Sequence, residues 1–244
     1  MIEKELEEKK LVREFFSNKN RGFYIEVGAN EPDPLYSQTL HLEEKLNWTG
    51  LLIEPIDYLA KKLGETRSSS TVIEAACTSK HKTGKCFLSI PVSKDGDISG
   101  HASLETNIDH SLLFETRKLE VFARTLDSII KEYANGAQID LLSIDVEGTE
   151  LDVLKGANLK HHSPKLIIIE DRLVFLAKHL YMRKHGYKIF RRTGFNNWYT
   201  KEPINSYTSF GNQLNLIRKI YLSSWIKRFR ESFRMRTLKT WTQI

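Results

Sequence analysis

The stretch Phe23-Tyr-Ile-Glu-Val-Gly-Ala-Asn30 decides the fold. Phe23, Ile25 and Val27 alternate with Tyr24 and Glu26, and the run stops at Gly28. Such a pattern reads as a buried strand ending in a tight turn. An acid just ahead of the turn suits a nucleotide-type ligand that carries an amine and hydroxyls. A phosphate would call for a turn richer in glycine, often with a lysine. The plain alternative is an ordinary strand-to-loop turn with an exposed acid.

Outward from this strand, helices and strands alternate. Residues 1–20 predict a charged helix with Leu6, Leu11, Val12, Phe15 and Phe16 as its apolar stripe. A helix is expected over 35–46, a strand over 50–54, a helix over 56–63 and a strand over 71–76. Strands follow at 85–90 and 119–123, and a helix at 125–133. The apolar run 139–144 is a strand and 147–156 a helix with Gly156 as its C-cap. Then come a strand at 165–170, a helix at 173–185, and strands at 187–192 and 197–200. Alternation of this kind means a parallel sheet covered by helices on both faces, with ligands at the carboxyl ends of the strands.

Three strands end in, or just past, acidic residues: Glu26, Glu54 and Asp145. Glu54 lies at the position that reads ribose hydroxyls in doubly wound folds. A surface Glu before the Pro55 turn is the alternative. Asp145, Glu147 and Gly148 open a helix, where the carboxylates would serve either a ligand or the first-turn amides.

The order Tyr24-Ile-Glu-Val-Gly-Ala-Asn30, Leu52-Ile-Glu-Pro55, Thr125-Leu-Asp-Ser-Ile129, Ile144-Asp-Val-Glu-Gly148 and Leu154-Lys-Gly-Ala157 resembles the FkbM family over roughly residues 20–200. The resemblance implies a class I methyltransferase Rossmann-like α/β fold, with a seven-stranded, mostly parallel sheet and an antiparallel final strand. It implies S-adenosylmethionine-dependent methyl transfer to a hydroxyl, commonly on a sugar or a polyketide, and the expected function is an O-methyltransferase acting on a saccharide or glycolipid hydroxyl. On that resemblance Glu26, Gly28 and Asn30 would hold the amino-acid end of the cofactor and Glu54 the ribose. Ala76 and Cys77 would approach the adenine, and Asp145 the sulfonium. Two departures stand out: Glu26 and Glu31-Pro32 flank the turn where the family often has Asp and Gly, and Ser143 stands where it usually has Lys.

Methyl transfer needs positioning and a proton acceptor for the attacking hydroxyl. The candidates are Asp145, Glu147 and Glu170, with His81 and His101 behind them. The same three carboxylates would suit a hard divalent cation. A metal is not favoured, and none is assigned. His161 and His162 are expected to face solvent, and Cys77 and Cys86 to be small buried groups. The segment 99–104 is either a lid over the acceptor or a plain loop. Asn197 and Trp198 are placed near the acceptor, or Trp198 in the core.

Composition is that of a globular chain, 40% hydrophobic and 28% charged. The charged N-terminus does not read as a signal peptide, and two cysteines do not make a disulfide framework. A cytoplasmic protein is expected, peripheral at a membrane if the tail makes that contact. Of the net charge of +6, the segment 203–244 supplies eight Lys/Arg against one acid, Glu231, a net of +7. The other 202 residues hold 29 basic and 30 acidic groups and are close to neutral. The expected organisation is an N-terminal helix (1–20), a methyltransferase domain (21–202) and a basic amphipathic extension (203–244). A helix over 214–241, with Ile217, Tyr221, Trp225, Phe229 and Phe233 as its apolar stripe, would contact a membrane surface or a homodimer mate, or pack on the body. Nucleic acid is a weaker partner. A nucleic-acid ribose methyltransferase, or a member that binds without turnover, are the alternative functions.

Overall fold

The computed structural model describes residues 2–92, 115–172, 176–203 and 207–223. The chain divides into two compact units, Met1–Pro164 and Lys165–Ile244. This division falls inside the span 21–202 expected as a single domain. Seven strands form the mostly parallel sheet of a class I methyltransferase fold.

The first unit opens with α1 (Ile2–Phe15), β1 (Phe23–Val27), α2 (Leu40–Leu46), β2 (Thr49–Glu54), α3 (Asp57–Thr66) and β3 (Ser70–Glu74). It continues with β4 (Ala76–Cys77), β5 (Gly84–Val92), β6 (Glu115–Arg124), α4 (Leu126–Tyr133), β7 (Leu141–Ile144), α5 (Glu150–Gly156) and α6 (Leu159–His162). Its share of the main sheet runs β3-β2-β1-β7, all parallel. Strands β1, β2 and β7 are buried on both faces, which explains the near-continuous Leu and Ile in β2 and β7, whereas the edge strand β3 buries only Ile73.

A second, three-stranded sheet, β4-β6-β5, was not foreseen as a separate layer. The strand expected at 71–76 breaks after Glu74, and Ala76–Cys77 pairs with β6 instead of β2. The strand expected at 119–123 is ten residues long and pairs antiparallel with β5. Alternation carries this sheet: Leu88, Ile90, Val121 and Ala123 point inward onto Ile56, Leu59 and Ala76. Phe87 and Phe122 point outward and are exposed.

Two helices start later than expected. In place of a helix from residue 35, the chain holds turns as far as Thr39, because the Ser37 and Thr39 hydroxyls and the Gln38 amide are bound to Glu26. The helix expected from Glu147 starts at Glu150, since Glu147 and Gly148 both have positive φ, +52° and +113°. Gly156 is not a C-cap glycine. It is the last residue of α5, and a Cβ there would lie 2.1 Å from the Thr78 carbonyl oxygen. It is needed for close packing, not for a left-handed turn.

The second unit holds β8 (Leu166–Glu170), α7 (Leu176–Lys184), β9 (Lys188–Thr193), β10 (Asn196–Thr200) and α8 (Phe210–Arg218), with a π-helical turn over Lys219–Ser223. Its strands run β8-β10-β9, with β10 antiparallel to both neighbours. The helix expected over 214–241 begins earlier, at Phe210, and lies against β9. Its buried residues are Leu216 and Ile220, while Ile217, from the expected stripe, is about half exposed. Residues 224–241 of that expectation lie outside the described residues, as do His101 and the segment 99–104. Among the described residues no helix is long and apolar enough to cross a membrane.

Candidate functional site at the carboxyl edge of the parallel strands

In the first unit Val27 pairs with Ile53 of β2 and with Ile144 of β7. The next residue on each strand is Gly28, Glu54 and Asp145. Register alone therefore sets these three side by side at one sheet edge. The turn there is closed by backbone bonds. The Gly28 and Ala29 amides donate to the Ile53 carbonyl at 2.9 and 3.2 Å, and the Asp145 amide donates to Val27 at 3.0 Å. Gly28 has φ +80°, and a Cβ would sit 1.8 Å from the Asp145 carbonyl oxygen. Both conformation and space demand glycine.

Glu54 is buried, and its carboxylate accepts the Asn30 amide at 2.8 Å and the Ile56 amide at 3.0 Å. Burial pushes its pKa up to about 7, against the pull of those two amides. Asn30, at φ +53°, thus touches the ribose candidate through its backbone.

Glu26 is engaged by the protein itself. Its Oε1 accepts the Gln38 amide at 2.8 Å, and its Oε2 the Thr39 hydroxyl at 2.5 Å and the Ser37 hydroxyl at 3.3 Å. Burial raises its pKa, while Arg67 and these donors oppose the rise. What it holds directly is the loop that follows the glycine turn. Sequence reasoning missed the group that organises this loop. Arg67, fully buried, donates to Glu43 through Nε and Nη2, to Ser37 through Nη1, and to Tyr24 and Thr39 through Nη2, at 2.9–3.0 Å. Tyr24 in turn donates to Glu43. Burial raises the pKa of Glu43, but bonds from Arg67, Ser70 and Tyr24 outweigh it and hold the group low. Nothing in the residues around Arg67 marks it as a hub; only tertiary packing brings its partners together. From α1, Lys9 donates to the Leu35 carbonyl at 2.8 Å, and Arg13 lies 3.0 Å from the His41 ring. Burial, helped by Arg13, pushes the pKa of His41 down to about 3.

Ala76 and Cys77 are both buried, and the Ala76 side chain belongs to the apolar cluster under the second sheet. Burial drives the Cys77 thiol up to about 12. Asp145 is exposed, and Glu147 follows it in left-handed backbone. A non-glycine residue in that conformation stores of order 1 kcal/mol, and such outliers gather at functional sites. The N-cap of α5 is Thr149, whose side chain makes no capping bond, and Glu150, the first helical residue, accepts the Gly148 amide just ahead of the helix at 2.7 Å. Ser143 is buried in the row beside Glu26.

Glu170 ends β8 in the second unit, with Arg172 Nε at 2.9 Å and Lys178 donating to its carbonyl at 3.2 Å. Asn197 is buried there, donating to Asp171 at 3.0 Å and accepting from Arg192 at 2.6 Å. Trp198 is core, its indole N–H donating to Thr193 at 2.9 Å. His81 is exposed on a short 3-10 turn. The expectation for His162 is corrected: it is largely buried and lies 2.7 Å from Asp127 on α4.

A family model, the methyltransferase FkbM domain, matches residues 26–189. The chain belongs to the FkbM methyltransferase family. The FkbM match opens at Glu26 and takes in Glu54, Asp145, Glu147 and Glu170. It ends within β9, before Asn197 and the basic tail. No curated protein matches the chain.

Proposed function

We propose that this FkbM methyltransferase uses S-adenosylmethionine to methylate a hydroxyl of a saccharide or glycolipid. The observation that carries the reading is the aligned row Gly28, Glu54 and Asp145 at the carboxyl ends of three parallel strands. S-adenosylmethionine, when bound, supplies an activated methyl group on a positively charged sulfonium. The residues fit it. Gly28 leaves backbone without a side chain at the turn, and the two Glu54 oxygens retain lone pairs for vicinal ribose hydroxyls. Glu26 and Arg67 act behind them, fixing the loop over residues 37–39.

Methyl transfer to an alcohol releases a proton. We assign its acceptance to Asp145 or Glu147, on the turn just past β7. Glu170 is retained as the third candidate, with Arg172 beside it. Binding of S-adenosylmethionine by calorimetry, lost in Glu54→Ala, tests the cofactor half. Tritiated methyl transfer into fractionated extract, followed into the glycolipid and saccharide fractions, tests the acceptor half. A wild-type protein that gives no heat with the cofactor would sink the proposal.

A further inference from the structure

The helix α8 and the π-helical turn that continues it present two apolar faces, and among the described residues one of them is buried. Leu216 and Ile220 are buried, at 8% and 2% exposure. Phe210, Leu214 and Ile217 recur at i, i+4 and i+7 and so share another face, where they are 76%, 51% and 47% exposed. They are three of the nine large exposed hydrophobic side chains among the described residues. Arg218 and Lys219, both exposed, follow directly. The helix carries no acid. Beyond Ser223 the chain runs on for 21 residues with six Lys/Arg and one acid, and with Trp225, Phe229, Phe233 and Trp241 among them.

We propose that the Phe210–Leu214–Ile217 face of α8 docks on an anionic lipid surface. An apolar stripe bordered by cations matches the boundary between acyl chains and negative headgroups. Charge selects this occupant over a second copy. Two copies meeting through α8 would bring together two segments of net +7 each, which repel. The proposal is independent of methyl transfer.

Co-sedimentation of the full-length protein with phosphatidylcholine vesicles, with and without 30% phosphatidylserine, tests it. Pelleting is expected with the anionic vesicles alone and should weaken as salt is raised. The double variant Phe210→Glu, Leu214→Glu should lower the partition coefficient roughly tenfold or more, with an unchanged melting temperature and unchanged cofactor binding. Four results would overturn the proposal. They are no pelleting with anionic vesicles, equal binding by the double variant, a lowered melting temperature that shows the stripe to be covered within the protein, and a wild-type dimer that the double variant dissolves.

Discussion

The carbonyl oxygen of Asp145 lies where a side chain on Gly28 would have to go. The turn after β1 and the end of β7 are thus in backbone contact, and a cofactor at this edge would meet both. Gly28→Ala should destabilise the protein by about 3 kcal/mol or more, because it adds a clash to a left-handed φ. Urea unfolding measures the loss. Cofactor titration at a temperature where the variant is folded should give at least a tenfold weaker affinity.

Glu54 makes stability and ligand binding depend on pH in opposite directions. Its pKa is raised in the fold to about 7, from 4.5. The folded protein therefore keeps a proton that the unfolded chain releases. This group's contribution to stability is complete below pH 4.5 and is lost as pH rises through 7. The slope is at most about 1.4 kcal/mol per pH unit. Hydroxyl recognition by the carboxylate needs the ionised form, so cofactor affinity should rise over the same range. Glu54→Gln should flatten the stability difference between pH 5 and pH 8 and remove the rise in affinity. Thermal melts and calorimetry across that range check both.

Arg67 sits among Tyr24, Glu26, Ser37, Thr39 and Glu43. Arg67→Met should cost about 3–5 kcal/mol, since buried carboxylates and hydroxyls lose their shared donor. Lysine should recover less than half of this, because three rotating donors cannot reproduce the planar fork. Denaturant midpoints for the two variants decide it.

The left-handed backbone at Glu147 predicts a separation of stability from activity. Glu147→Gly should leave stability unchanged or raise it by up to about 1 kcal/mol. Methyl transfer should nonetheless fall at least tenfold if its carboxylate serves the acceptor. A clear loss of stability would mean that the Glu147 side chain holds the fold together.

Periodicity and turn chemistry act over a few residues, and they are enough to place β1, β2, β7 and β8, the glycine turn and the two final strands, while the antiparallel course of the last strand follows from the family resemblance. They also carry the family, through Glu26-Val-Gly-Ala-Asn30 and Asp145-Val-Glu-Gly148. Other features depend on residues far apart in the chain, and tertiary structure alone decided them. Glu26 and Glu54 look alike in sequence, each an acid at a strand end. In the fold, Glu26 is bound by Ser37, Gln38 and Thr39, whereas Glu54 accepts two backbone amides at the carboxyl edge of the strands. Likewise β4 leaves the main sheet because its partner is β6, nearly fifty residues away. The sequence by itself determined most of the strands and the family they make, but not the break that separates β4 from β3. The packed chain decided which donors each carboxylate meets, because those donors come from residues that only folding brings beside it.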